Sequence, residues 1–211
     1  MIKKIIHSDL KKTFKREQTP KDGVKKPREI TEKYLYNAGL AYLNRFSSSS
    51  ENFRRILNKK IMRAKKFYGE VPEECDEWVL LTITRFTESG LLNDALYAQS
   101  SVTTMRRRGL SQKAILAKLQ QKGLAEEQIK TAINLVDKDT LDRLGETLDS
   151  CERVAGFALA KRRRIGPYRL RDREEYYQKD LGILGRAGFS YDIAKSILQC
   201  DINELPSYQD L

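Results

Sequence analysis

A chain of 211 residues with a formal net charge of +11 is long enough for one large or two small domains, and its charge favours acidic or polyanionic partners. No stretch approaches about 18 continuous apolar residues, which excludes a transmembrane helix, and the opening MIKKIIHSDLKKTFKRE lacks the apolar core of a secretory signal. Cys75, Cys151 and Cys200 are odd in number, far apart and outside metal-ligand spacing, so they predict buried, reduced thiols in a cytoplasmic protein.

Residues 1–28 hold ten Lys or Arg against Asp9, Glu17 and Asp22, a local charge of +7 that leaves +4 for the rest. Pro20, Gly23 and Pro27 argue against a packed core there, so residues 1–29 are predicted as a basic arm. Such an arm either touches nucleic-acid phosphates or an acidic surface, or is a solvated extension with no dedicated partner. Helical signals follow. Ser49, Phe53 and Leu57 open one capped helix; Pro72 suits a first helical position, ahead of Cys75, Trp78, Val79, Thr82 and Phe86 on one side.

The segment Gly90 to Ile133 is the most regular. Asp94 is predicted to cap a helix with the stripe Ala95, Ala98, Val102 and Met105, and Gly109 stops it. Ser111 caps a second helix with Ile115, Leu116 and Leu119, ended by Gly123. Leu124 leads into a third, with Glu126 and Glu127 at its dipole-favoured start and Ile129, Ala132, Ile133 and Val136 as its buried face. The unit has echoes. Ser49, Phe53 and Leu57 repeat the interval of Ser111, Ile115 and Leu119; Gly188-Phe189, Ala194 and Leu198 repeat Gly123-Leu124, Ile129 and Ile133. The chain is therefore read as all-α, with three-helix repeats at 30–90, 91–141 and 142–200 and a C-terminal tail at 201–211.

Charge along the folded part is banded. Arg45 to Lys66 carries eight bases and Glu51; Glu70 to Asp94 carries seven acids and Arg85; Arg106 to Arg108 is basic; Glu126 to Glu152 is acidic; Lys161 to Arg173 holds seven bases and Asp172. If the basic bands are in phase with the repeats they fall on one face and meet an acidic or polyanionic partner; the alternative is three solvated helix faces.

Signals for catalysis are weak. The lone histidine, His7, lies in the basic arm, and no Walker A sequence occurs. Gly182, Gly185 and Gly188 have the wrong spacing for a dinucleotide turn and are expected to mark close helix packing with a stop at Gly188. Asn93-Asp94 and Glu126-Glu127 sit where helices start and are read as caps. No enzyme activity, cofactor or metal is expected. Arg108-Gly109-Leu110-Ser111 resembles half of a helix-turn-helix, but Lys113, Lys118 and Lys122 in its second helix suit phosphate contact better than base readout.

The run GLLNDALYAQSSVTTMRRRGLSQKAILAKLQQKGL resembles the central signature of the RecX family, regulators of the RecA recombinase. Tyr42-Leu43, Arg45, Ser49, Phe53 and Leu57 resemble the family's opening helix pair, and Ala187-Gly188-Phe189-Ser190 with Ile193, Ile197 and Leu198 its closing helix. The resemblance covers roughly Tyr34 to Cys200. Asn93-Asp94 stands where the family has an acidic pair, and the basic arm has no counterpart in the pattern.

The resemblance implies three tandem three-helix repeats in an elongated, curved array, lying as a monomer in the groove of a RecA–DNA filament. It implies a modulator, most simply an inhibitor, of RecA in recombination, DNA repair and the SOS response, touching single- or double-stranded DNA weakly or through the filament. The contact residues expected from the bands are Arg54, Arg55, Lys59, Arg106, Arg107, Arg108, Arg162, Arg163 and Arg164. A helical protein that binds DNA or RNA directly, without RecA, is the alternative.

Overall fold

Apolar residues at intervals of three and four, bounded by capping side chains, fold into nine α-helices and one 3-10 turn, with no strand among the described residues. The computed structural model describes residues 26–144 and 148–201. Most of the predicted basic arm, His7 with it, and the tail beyond residue 201 lie outside that range. The helices are α1 (Glu32–Leu43), α2 (Ser50–Tyr68), α3 (Cys75–Glu88), α4 (Asp94–Arg107), α5 (Gln112–Gln121), α6 (Glu126–Leu144), α7 (Leu148–Arg163), α8 (Tyr177–Arg186) and α9 (Tyr191–Gln199). None of them is long and apolar enough to cross a membrane.

Five helices begin in the same way. The side chains of Thr31, Ser49, Asn93, Ser111 and Ser190 each accept the backbone N–H three residues on, at 3.0–3.3 Å. Two expectations about helix starts are corrected. Asn93, not Asp94, caps α4, because Asp94 Oδ1 instead accepts the N–H of Ser50 at the start of α2. Pro72 is not a first helical residue: α3 begins three residues later, and the Pro72 carbonyl accepts the Cys75 N–H.

The apolar cores group the helices three by three. Leu35, Phe53, Leu57, Val79 and Phe86 centre the first group, from α1 to α3. Ala98, Val102, Ile115, Leu119, Ile129 and Ile133 centre the second, from α4 to α6. Ala155, Leu159, Leu184, Ala194 and Ile197 centre the third, from α7 to α9. Each fully buried Leu, Ile or Phe contributes roughly 1.5–3 kcal/mol, and one helix alone offers too few of them to be stable. The predicted stripes hold at their centres and thin at their edges: Ala95 is exposed, and Met105, Leu116, Val136 and Trp78 are half-buried. Cys75 and Cys151 are buried thiols outside any disulfide, while Cys200 is partly exposed.

The groups meet through a joint that occurs twice. At the first joint the Ser49 hydroxyl, besides capping α2, donates to the carbonyl of Lys122 at the end of α5. At the second the Ser111 hydroxyl, besides capping α5, donates to the carbonyl of Ala187 at the end of α8, at 2.7 Å. A carboxylate from the next group completes each joint. Asp94 of α4 accepts the Ser50 N–H at 2.7 Å, and Glu152 of α7 accepts the Gln112 N–H at 2.7 Å. The residue after each helix end is a glycine in the left-handed region, Gly123 (φ +82°) and Gly188 (φ +91°). A β-carbon there would overlap Glu51 in the first joint and Ser111 Oγ in the second. The second helices therefore stack head to tail, in the order α8, α5, α2, each C-terminus facing the N-terminus of the next. Side chains take up the unpaired backbone groups of both ends, the serine hydroxyls the carbonyls and Asp94 and Glu152 the N–H groups.

Candidate functional site

The nine expected contact residues fall on three helices and do not share one position in the repeat. Arg54, Arg55 and Lys59 lie on α2, a second helix; Arg106–Arg108 and Arg162–Arg164 lie at the ends of α4 and α7, which are first helices. The last two clusters are equivalent. In one, Gly109 N–H and Leu110 N–H bond the carbonyls of Arg106 and Met105; in the other, Arg164 N–H and Ile165 N–H bond those of Lys161 and Ala160. The expected phase of all three bands thus reduces to two, and the α2 band stands apart.

Arg106 is not a surface residue. Its side chain is 10% exposed and forks onto Asp137 of α6 at 2.6 and 3.0 Å, while a third N–H reaches Glu152 of α7 at 2.6 Å. Burial, the largest influence on it, disfavours the charge. The hydrogen bonds and attraction of Asp137, then Glu152, outweigh that, so the guanidinium is held above its ordinary pKa. The α-helical period explains the inversion: Arg107 and Arg108 rotate away from the α6–α7 side and are exposed. Gly109 beside them packs so closely on α7 that a β-carbon would overlap the Leu159 and Ala155 backbone.

Arg54 and Arg55 both pair with Glu51, at 2.7 and 3.0 Å, and Arg55 also donates to the Gln121 carbonyl across the first joint, at 2.7 Å. The Arg54 hydrogen bond is the main reason the Glu51 carboxyl is held below its usual range; burial, the next influence, opposes it, and the charge of Arg54 and the hydrogen bond and charge of Arg55 add to the lowering. Lys59 is exposed on the same helix. Arg162, Arg163 and Arg164 are exposed, and Arg164 takes φ +55°, the slot that glycine fills at 109. Two other bases of the third band turn inward. Arg169 forks onto buried Asp180 at 2.7 and 3.0 Å, and Arg173 donates to the Leu198 and Cys200 carbonyls.

A cleft of about 880 Å³ opens between α4, α6 and α7, with Arg106, Arg107, Leu135, Cys151 and Val154 in its walls. No cluster of metal-ligating side chains occurs among the described residues. Gly182 and Gly185 do not mark close packing: a β-carbon at 185 would meet open space, and one at 182 only the Arg186 guanidinium. Of the predicted glycine run only Gly188 is sterically required.

The bases that sequence bands missed are those of α5. Lys113 and Lys118 are exposed, as is Lys122 at its C-cap, and the helix contains no acid. They form no run in sequence, although the sequence marks them as suited to phosphate contact.

These features define an all-α protein built from tandem three-helix units and a recurring serine–glycine joint. A family model for the second three-helix domain of RecX matches residues 93–133, which span the start of α4 to the middle of α6. The chain is 35% identical over 178 residues to regulatory protein RecX of Myxococcus xanthus, covering 83% of this chain and 90% of that one. It is 30% identical over 136 residues to regulatory protein RecX of Streptomyces coelicolor, covering 64% of each. The crystal structure of RecX from Lactobacillus salivarius has the same fold, with a TM-score of 0.53 at 24% identity over 80% of this chain and 94% of that one. The chain belongs to the RecX family.

Proposed function

We propose that the chain is a non-enzymatic regulator that binds the RecA filament on DNA and restrains it. Its exposed arginines Arg107, Arg108, Arg162, Arg163 and Arg164, with Arg54, Arg55 and Lys59, act as electrostatic contacts. Relatives that carry the name regulatory protein RecX support the regulatory role. The observation that carries the contact reading is the equivalence of the clusters ending α4 and α7. Exposed positive charge recurs at the same place in two consecutive units, as a partner with its own repeat requires. Arg164 adds to this, since an arginine in a left-handed slot costs about 1 kcal/mol that a glycine would avoid. Arg106 is removed from the contact set, because each of its three guanidinium nitrogens donates inside the protein.

The test is co-sedimentation with RecA filaments preassembled on single-stranded DNA, together with RecA-driven ATP hydrolysis. Wild-type protein should sediment with the filaments and slow hydrolysis. The double variants Arg107→Glu/Arg108→Glu and Arg162→Glu/Arg163→Glu should fold normally and lose both effects. Unchanged inhibition by both variants would remove these clusters from the proposed contact, and no sedimentation of the wild type would remove the filament reading itself.

A further inference from the structure

Helix α3 carries a face that no described residue covers. Its buried stripe, Cys75, Val79, Thr82 and Phe86, packs on α1 and α2. At ~100° per residue, Glu77, Leu80, Leu81, Thr84 and Glu88 share a sector of about 100° on the opposite side. All five are exposed, Leu80 by 66% and Leu81 by 39%. Two adjacent leucines in water, with one carboxylate a turn before them and another two turns after, call for an occupant that is both apolar and cationic.

The surroundings reinforce this demand. Glu70, Glu73 and Glu74 in the turn before α3, with Asp76 at its start, are exposed, and no ion pair among the described residues engages them. Arg85, the single base of α3, is taken up by Glu32 of α1 at 2.8 Å. The described chain starts where this turn begins. Lys26 Nζ stands 5.4 Å from the centre of the Tyr68 ring, Tyr68 donates its hydroxyl to the Pro27 carbonyl at 2.6 Å, and Ile30 is buried in the core of the unit. Tyr68 ends α2, and α3 opens after residues 69–74.

Residues 1–16 hold six bases against Asp9, a net +5, the sign that this face lacks. Ile2, Ile6, Leu10 and Phe14 recur among those bases at every fourth place, so the segment has apolar residues to set on the leucines as well as cations for the carboxylates. Residues 17–25 reach up to ~30 Å at ~3.3 Å each, and α3 is about 21 Å long at ~1.5 Å per residue. The tether thus permits docking along the whole helix, at a local concentration of roughly millimolar that a free partner would have to match. We propose that the outer face of α3 is the docking surface for residues 1–16 of the same chain, and that docking withholds their charge from external polyanions. This contact is separate from the arginines proposed to meet the filament and stands without them.

The experiment couples amines to carboxylates in the full chain with a zero-length carbodiimide, at low protein concentration. An equal mixture of unlabelled and isotope-labelled protein distinguishes links within one copy from links between copies by mass. Wild-type protein should join Lys3, Lys4, Lys11, Lys12 or Lys15 to Glu73, Glu77 and Glu88 within single copies. Leu80→Ser/Leu81→Ser, checked for unchanged helix content by circular dichroism, should lose most of these links and be cut by trypsin after Lys11 and Lys12 several-fold faster. It should also need more salt to leave a heparin column, because its arm is no longer held. Links spread equally over Glu126, Glu127 and Asp142 of α6 overturn the proposal, as an arm without a dedicated surface. Links found only between copies overturn it in favour of a second chain as the occupant. Unchanged links and trypsin rates in the serine variant also overturn it, and heparin elution at the wild-type salt concentration overturns the withholding of charge.

Discussion

Replacing Arg106 by alanine separates the structural arginine from its exposed neighbours. Its removal leaves Asp137, only 8% exposed, and Glu152, 19% exposed, without their shared cation. Glu152 keeps its bond to the Gln112 N–H and can turn towards water, so most of the loss falls on Asp137. Deleting one partner of a buried pair costs about 3–5 kcal/mol, which is a large part of the ~5–15 kcal/mol of a typical domain. Arg106→Lys should recover only part of it, because one ammonium cannot reproduce the fork to Asp137 together with the bond to Glu152. Arg106→Met/Asp137→Leu removes charge from both sides of the closest pair and should sit nearer wild type than Arg106→Ala does. Urea unfolding followed by far-UV circular dichroism measures all of these, with Arg107→Ala and Arg108→Ala as exposed controls. A loss below about 0.5 kcal/mol for Arg106→Ala, or equal losses in the two controls, would refute the buried-fork account.

Three further outcomes follow from the same geometry. Ser111→Ala removes both the α5 cap and the bond to the Ala187 carbonyl, so it should cost about 2 kcal/mol in unfolding assays, with Ser49→Ala behaving alike at the first joint. Arg164→Gly should raise stability by about 0.5–1 kcal/mol through relief of φ +55°, while weakening filament binding through the lost charge; a calorimetric melt with the sedimentation assay reads both. Glu51 is stabilised as the anion by Arg54 and Arg55, so its contribution is present above its ordinary pKa of 4.5 and is lost as pH falls through the lower folded value. Glu51→Gln should therefore be less stable than wild type near neutrality and converge with it in acid, and a gap that widens on acidification would reverse the argument.

Helix class and core stripes were legible in the sequence because they depend on local spacing. Ser49 and Ser111 with their apolar residues four and eight positions on gave helices that the cores of the first and second groups confirm. What could not be read were facts decided between distant residues. Arg106, Arg107 and Arg108 are identical as letters, and only Asp137 and Glu152, 31 and 46 residues away, tell them apart. Asn93 and Asp94 are equally good caps in isolation; the choice is settled by Ser50, which lies 44 residues from the one that crosses the joint. Runs of arginine drew attention to the ends of α4 and α7, where the structure separates buried Arg106 from exposed Arg107 and Arg108.

The joint also explains why stacking stops where it does. Each joint needs a residue that accepts from its own helix and donates to the next one, which a hydroxyl does and a carboxylate does not. Ser49 and Ser111 meet that need at the starts of α2 and α5. At the start of α8 the corresponding residue is Tyr176, which makes no side-chain cap, and its ring instead lies under Arg169 at 4.5 Å. At the other end of the row of stacked second helices, Gly69 has positive φ but is itself the C-cap of α2, one position earlier than Gly123 and Gly188 stand beyond α5 and α8. Yet a β-carbon there would meet nothing among the described residues. The row thus carries two complete joints and two unmatched halves, and the halves do not complement each other, since the end without a serine cannot donate to the end with the glycine. Head-to-tail growth of the row between copies of this chain is therefore expected to be disfavoured by the same chemistry that joins its units. Restoring the missing hydroxyl with Tyr176→Ser is the change that bears on this point. Concentration-dependent association of that variant, with the wild type unchanged over the same range, would identify the serine as what governs growth of the row.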